Sequence, residues 1–272
     1  MPESLLNTFT FVDILIHRLP RLHCMLRTVL AGMALVLGCS QAAWAEKVEL
    51  ATLDWPPYSG AIAEQGFLSV VLRQALAYSG HTLQVQVYPW NRAVKTAMGG
   101  SNTVLGFYSA SRLECSAAKG TTSDPIGYFQ FGLAQAKGRP QWQTTQDLEG
   151  KRVGVVEGYD NGPELTTLME SKRVLADVAI NDLANLRKVL AQRVDYASVD
   201  LLVFNYLQRE HELHGLELAK QPVTGRLPLY VCFNASPRAQ AMLQTLNAGL
   251  KKVDVQAVAQ NYVRGITAGK RP

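Results

Sequence analysis

The chain has 272 residues, of which 47% are apolar and 18% are charged. This balance excludes an intrinsically disordered chain and is enough to bury one large core or two medium ones. Lys and Arg outnumber Asp and Glu by 27 to 22, but the basic residues are spread thinly and form no run of five or more. We therefore predict a solvated surface and no nucleic-acid partner.

The first 45 residues have the pattern of a secretory signal peptide. From Met25 onward the segment carries one Arg at position 27, an apolar run over 29–38 and the small-residue motif Ala43-Trp44-Ala45. The apolar run is too short to span a bilayer, whereas its length and order are typical of a cleaved leader. We predict export to the periplasm with cleavage after Ala45. Residues 1–24 precede this segment and represent either a mis-assigned start or a long n-region.

Cys39 offers an alternative for the same segment. Residues 36–39, Val-Leu-Gly-Cys, loosely resemble a lipobox, although Leu37 stands where that motif usually has a smaller residue. Lipidation of Cys39 would change the prediction from a soluble exported protein to a membrane-anchored one.

Two cysteines, Cys115 and Cys232, remain after cleavage. An oxidising compartment favours a disulfide between them, and their separation is wrong for a CxxC redox motif or a zinc knuckle. Two buried free thiols are the alternative. We predict the disulfide.

Strands and helices alternate in the first part of the mature chain. Apolar runs and alternation of polar with apolar residues predict strands over 48–53, 82–87 and 103–107. Helices are predicted to begin at Phe67 and Pro89, and prolines and glycines mark the ends of these elements. The same order restarts after Pro140, with predicted strands over 152–156, 178–180 and 194–199 and helices that begin at 163, 181–182 and 201. Such alternation is typical of parallel sheets with helical crossovers.

The last 50 residues decide the predicted topology. Residues 227–233 form an apolar strand, Ser236-Pro237 begins a helix, and a final helix runs to about residue 263. If this strand returns to the first sheet, the chain passes between the two lobes twice, and the two connecting segments form a hinge. We therefore predict an α/β fold with two lobes, one from residues 46–138 plus 226–272 and one from residues 139–225.

Several local motifs occur in an order that resembles the family 3 solute-binding proteins, the polar amino-acid-binding components of ABC uptake systems. The motifs are the Trp-Pro-Pro-Tyr loop at 55–58, Gly66-Phe67, Ser109-Ala110-Ser111-Arg112, the segment 147–154 (DLEGKRVG), and 193–195 (RVD) before Asp200. The resemblance implies two α/β lobes around a ligand cleft. It also implies a monomer that delivers an amino acid or a related small carboxylate to an ABC permease, without a cofactor or metal.

The resemblance assigns two charged residues to the ligand. Arg112 stands at the position that grips a ligand carboxylate, and Asp200 follows a strand where the family binds the ligand's amine. The alternatives are a surface Arg beside the capping box Ser111-x-x-Glu114 and an ordinary helix N-cap at Asp200.

Aromatic residues complete the predicted site. Trp55, Tyr58, Trp90 and Phe107 fall on loops or strand ends, where they can enclose an apolar body or a cationic group. The turn at 157–162 resembles the anion-binding loop of the family, but it carries Tyr159 and Asn161 where many members have Gly and Thr.

Two other classes of function stay open at this point. A few proteins of this fold are periplasmic dehydratases acting on cyclic acids, and Glu157 and Asp160 are acid/base candidates in the predicted cleft. The sequence has no GxSxG, HExxH, P-loop or GxGxxG motif, and His211 with His214 lacks further metal ligands. We therefore predict a binding protein rather than an enzyme. The third class is a ligand sensor that docks on a membrane receptor.

Overall fold

The computed structural model describes residues 45–100 and 103–268. The predicted signal peptide up to residue 44 and the alternative lipidation site at Cys39 lie outside the described residues. Within the described ranges, no helix is long and apolar enough to cross a membrane.

Strands and helices alternate through most of the described chain. The strands are β1 (Lys47–Thr52), β2 (Thr82–Val87), β3 (Val104–Ala110), β4 (Thr121–Thr122), β5 (Gly127–Phe129), β6 (Phe131–Ala136), β7 (Arg152–Val156), β8 (Leu175–Ala179), β9 (Tyr196–Asp200), β10 (Leu216–Leu218) and β11 (Leu227–Phe233). The α-helices are α1 (Phe67–Ala77), α2 (Trp90–Met98), α3 (Arg112–Ala117), α4 (Pro163–Glu170), α5 (Asp182–Leu190), α6 (Leu201–Glu210), α7 (Pro237–Leu250) and α8 (Val255–Thr267). Short 3-10 helices cover Ala63–Gln65 and Thr145–Leu148.

The first sheet has the order β2-β1-β3-β11-β4, and β5 pairs with β11 outside this path. β1 runs parallel to β2 and β3, whereas β11 is antiparallel to β3, β4 and β5. Helices α1 and α2 pack on this sheet, and α7 and α8 pack against α1. Every residue of β3 is buried, because the strand lies inside the sheet with both faces covered.

The second sheet has the order β10-β6-β9-β7-β8. β7 runs parallel to β8 and β9, and β6 is antiparallel to β9 and β10. Alternate residues of β9 face two apolar clusters: Ala197 and Val199 join the large cluster shared with the first sheet, and Tyr196 joins a smaller cluster with Val153 and Trp142.

The chain passes between the sheets twice, at Gln130 and near Thr224. The Gln130 side chain donates to the Thr224 backbone oxygen at 3.0 Å, and the Phe131 N–H donates to Thr224 Oγ1 at 3.0 Å. These bonds tie the two crossings into the predicted two-stranded hinge. The lobe division at residue 138 stays a prediction, and the pairing of β6 within the second sheet favours a crossing nearer to residue 130.

A disulfide joins Cys115 and Cys232, whose Cα atoms lie 5.4 Å apart. It links α3, which follows β3, to the returning strand β11. Gly120 packs against this bond, since a Cβ atom there would lie 2.3 Å from Cys232 Sγ and 2.9 Å from the Phe233 backbone oxygen. The predicted disulfide is therefore present in the structure.

Candidate functional site

A small cavity lies where loops at the carboxyl ends of β1, β3 and β7 meet. Its volume is about 20 Å³, which is room for about one water molecule. This is the edge at which open α/β sheets place their ligands. Half of its lining residues are aromatic, namely Trp55, Trp90, Phe129, Phe131 and Tyr159. Its polar members are Ser109, Glu114 and Asp160.

The aromatic walls come from both sheets. Trp55 stacks on Tyr58 with ring centroids 4.3 Å apart, and the edge of Tyr159 contacts Trp55 at 6.3 Å. Trp90 packs edge-on against Phe107 at 5.4 Å. Trp55 is only 4% exposed, yet its Nε1 has no hydrogen-bond partner among the described residues. A buried donor of this kind requires an acceptor from water or a ligand.

Glu114 and Asp160 meet across the cleft. Ser111 caps α3 by accepting from the Glu114 N–H at 3.1 Å, and Glu114 Oε2 accepts from the Ser111 N–H at 2.7 Å. The same serine hydroxyl lies 3.1 Å from Asp160 Oδ2, and the Asp160 N–H lies 3.4 Å from Glu114 Oε1. Burial, with the nearby charge of Asp160, raises the pKa of Glu114 to about 7.

Ser109 forms the floor of the cavity on the first sheet. Its φ of +72° lies in the left-handed region, which is unusual for a residue with a Cβ atom. Its hydroxyl lies 3.1 Å from Ser59 Oγ and 3.3 Å from Thr52 Oγ1, and both partners are fully buried. This hydroxyl cluster holds the strained residue at the cavity wall.

Tyr159 connects the cavity to a buried carboxyl group on the second sheet. Its hydroxyl donates to Asp182 Oδ2 at 3.3 Å, and Asp182 Oδ1 has no partner among the described residues. Burial raises the pKa of Asp182 to about 7, with a smaller contribution from the charge of Asp200. Burial and the charge of Asp182 also raise the pKa of Tyr159 well above its ordinary value.

Asp200 is a helix cap and a link between the two sheets. Its Oδ1 accepts from the N–H groups of Leu202 and Val203, at 2.8 and 3.1 Å, as the N-cap of α6. Its Oδ2 accepts from the Gln130 N–H at 2.8 Å and lies 3.1 Å from the Tyr58 hydroxyl. Burial raises the pKa of Asp200 to about 6. Tyr58 and Asp200 line a separate recess of about 560 Å³ beside α8.

Arg112 lies outside the cavity lining. Its guanidinium donates to the Tyr230 hydroxyl at 3.1 Å and sits over the Tyr230 ring, 4.8 Å from the centroid. It also lies 3.4 Å from Thr122 Oγ1. The N-cap of α3 is Ser111, so the side chain three residues after the cap is Glu114.

A larger recess of about 540 Å³ shares Leu53, Trp90 and Tyr159 with the small cavity. Its further lining includes Asp54 and Glu157. Gly158 brings the turn after β7 close to α2, since a Cβ atom there would lie 2.5 Å from Asn91 Oδ1. Elements of the two sheets thus meet around the small cavity and around this adjoining recess, which is called the larger recess below.

The structure brings together three of the eight predicted ligand residues. Trp55, Trp90 and Tyr159 line the small cavity, while Phe107 is fully buried behind Trp90 and the Asn161 amide donates to the Tyr159 backbone oxygen at 3.0 Å. The ligand roles of all eight residues stay predictions. Sequence reasoning missed Glu114 as a cavity residue, although it had identified the capping box that positions it.

No group of three or more His, Cys, Asp or Glu side chains that could hold a metal ion occurs within 45–100 and 103–268. His211 and His214 lie at and beyond the end of α6, away from the residues that line the cavity.

Comparison with known structures identifies the fold. A histidine kinase sensor domain described as similar to periplasmic binding proteins superposes with a TM-score of 0.65 at 16% identity, over 79% of this chain and 95% of that one. A Salmonella typhimurium periplasmic binding protein with high arginine specificity gives 0.65 at 14% identity, over 80% and 99%. A structure from work on glutathione import and a cystine ABC importer of Streptococcus mutans gives 0.67 at 16% identity, over 81% and 95%.

The chain therefore has the two-lobed fold of periplasmic binding proteins, and the predicted resemblance is confirmed at the level of the fold. The Salmonella typhimurium neighbour is described as a periplasmic binding protein, and the histidine kinase domain as a sensor domain similar to such proteins. No protein-family model and no curated protein matches the sequence.

Proposed function

We propose that this protein is an exported binding protein that closes around a small polar ligand, of the size of an amino acid, and presents it to an ABC permease. The observation that carries the proposal is the cleft formed by the small aromatic and acidic cavity and the adjoining recess of about 540 Å³. This cleft lies at the carboxyl ends of strands from two sheets that a two-stranded hinge connects. A ligand that contacts both sheets selects the closed form through its differential affinity.

Trp55, Trp90 and Tyr159 are the predicted ligand residues that the cavity favours, because all three line it. Periplasmic location and monomeric state accompany the proposal, as the signal pattern and the resemblance imply. A thermal-shift screen against amino acids, amines and small carboxylates tests binding. A ligand at 100 times its Kd should add about 2.7 kcal/mol to the unfolding free energy, which is a shift of several degrees.

A ligand sensor that docks on a membrane receptor is the second candidate, and the sensor domain among the structural neighbours favours it. Uptake of the identified ligand by cells that lack the gene separates the two. Loss of uptake supports transport, whereas unchanged uptake with a lost transcriptional response supports sensing.

A further inference from the structure

Acidic side chains line the cleft, and the described part of the chain places no basic side chain in its lining. Glu114 and Asp160 line the small cavity, and Asp54 and Glu157 line the larger recess. Among the described residues, neither lining contains a Lys, an Arg or a His. A ligand carboxylate would therefore enter a partly buried acidic site without a counter-charge, which is strongly unfavourable.

Three arginines, Arg112, Arg92 and Arg226, each stack on a tyrosine ring and belong to neither lining. Arg112 is bound to the Tyr230 hydroxyl and ring. Arg92 sits over the ring of Tyr88, 4.9 Å from its centroid; Tyr88 lines the larger recess, but Arg92 itself belongs to neither lining. Arg226 sits over the Tyr128 ring at 4.5 Å and lines the recess beside α8 instead. None of the three faces Glu114 or Asp160 in the small cavity.

Trp55 supplies an independent indication of a ligand. Its indole Nε1–H is buried and has no partner among the described residues, and Trp55 is one of the residues that line the small cavity. This neutral donor fits a carbonyl or hydroxyl oxygen, but it cannot balance the charge of a carboxylate. Trp55, Trp90 and Tyr159 are also in the lining, and aromatic side chains attract cations.

We propose that the cleft takes an organic amine that carries a positive charge and a neutral oxygen, and that has no carboxylate. Amides of amino acids and amino alcohols belong to this class. The ammonium group binds Glu114 and Asp160, the oxygen accepts from Trp55 Nε1, and the body extends past Trp90 and Tyr159 into the larger recess. This inference rests on the proposed binding function and specifies its ligand. The raised pKa of Glu114 is consistent with a buried carboxyl group that has no cation beside it in the ligand-free protein.

Matched pairs of ligands test the absence of a carboxylate. Calorimetry compares lysinamide with lysine and glycinamide with glycine, together with ethanolamine and 1,4-diaminobutane, each up to about 1 mM. We expect at least one amide or amino alcohol to bind about tenfold or more tightly than its carboxylate counterpart, because the acidic lining repels a carboxylate but not a neutral amide or hydroxyl group. Equal or tighter binding of the amino acids would overturn this inference and leave the proposed binding function in place. Failure of every compound to bind would overturn the inference and also weaken the proposed function.

Three variants test the assigned contacts with the amine that binds best. Glu114→Gln and Asp160→Asn should each weaken it about tenfold, since a charge-assisted contact becomes a neutral one. Glu170→Gln, at an exposed position at the end of α4, is the matched control and should bind like the parent. Trp55→Phe should weaken the amide more than 1,4-diaminobutane, which has no oxygen. Thermal unfolding of each ligand-free variant verifies that it folds, and parental affinity in both acid variants would contradict the assignment.

Discussion

Glu114 and Asp182 are carboxyl groups in the cleft region that no described basic side chain pairs with. Each instead contacts neutral donors: backbone N–H groups for Glu114 and the Tyr159 hydroxyl for Asp182. Burial without a counter-ion favours the protonated form, so both groups have a pKa of about 7. Their protonation thus changes near neutral pH.

Stability should therefore fall as the pH rises from about 4 to 7. In this window the folded protein holds protons on Asp182, Glu114 and Asp200 that the unfolded chain has released, so the unfolding free energy decreases with pH. Each such proton contributes a slope of up to about 1.4 kcal/mol per pH unit. Asp147 and Asp195 have lowered pKa values and act in the opposite sense only below about pH 4.

Urea unfolding at pH 5, 6 and 7 measures this slope. The variant Asp182→Asn should reduce it by about one proton, because Asn can keep the Tyr159 contact but does not titrate. Glu170→Gln should leave the slope unchanged. A parent protein whose unfolding free energy rises over this range would contradict the protonated state of these carboxyl groups.

Arg112→Ala distinguishes the observed position of Arg112 from the role that the family resemblance implies. Because the guanidinium is bound to Tyr230 and lies outside the cavity lining, we expect ligand affinity to stay within about threefold of the parent value, less than about 1 kcal/mol. Calorimetry with an identified ligand measures this. Loss of most binding would instead support direct contact between Arg112 and the ligand.

At the level of elements, sequence reasoning found those whose signals are local. The predicted bounds of β2, β7 and β11 match the structure, since alternation or an apolar run between turn residues defines each strand. Asn181 and Ser236 stand at two predicted helix starts, and their side chains cap the helices by accepting from the Ala184 and Ala239 N–H groups. Such signals depend on neighbours in the chain.

The sequence does not predict strands that depend on distant partners, or it predicts them at shifted positions. β6 contains small residues and a glycine, and only its pairing with β9 and β10 makes it a strand. β8 lies at 175–179 rather than 178–180, because this edge strand exposes apolar residues such as Val178 that disguise its pattern. The Glu114–Asp160 contact was unpredictable for the same reason, as its two residues are 46 positions apart.

The disulfide should stabilise the element pair α3 and β11. Breaking it with Cys115→Ser plus Cys232→Ser should lower the unfolding free energy by about 2–4 kcal/mol, largely because the unfolded chain loses a constraint. Urea unfolding measures the loss. Thiol titration of the denatured protein that begins at Glu46, without reductant, should find no free thiol. Two titratable thiols would contradict the pairing.

At the scale of the whole molecule, closure brings Glu114 on the first sheet side against Asp160 on the second. The Ser111 N–H donates to Glu114, and the Tyr159 phenol lies close enough to interact with its charge. Burial, with the nearby charge of Asp160, raises the pKa of Glu114. In an open form, water surrounds Glu114 and its pKa returns toward the ordinary value of about 4.3. Closure without ligand therefore takes up a proton between about pH 4 and 7.

We predict that the ligand-free protein is more compact at pH 5 than at pH 8. Linkage disfavours the closed form by up to about tenfold per pH unit as Glu114 ionises, because two carboxylates then share a poorly solvated cleft. Small-angle scattering gives the radius of gyration, which is about 17 Å for a compact chain of about 220 residues. The value should increase toward pH 8 in the parent and in Glu170→Gln, but stay constant in Glu114→Gln. An amine ligand should restore the compact form at pH 8, since its cation replaces the lost proton. A parent radius that is the same at both pH values, or a pH dependence that persists in Glu114→Gln, would show that this carboxyl group does not control closure.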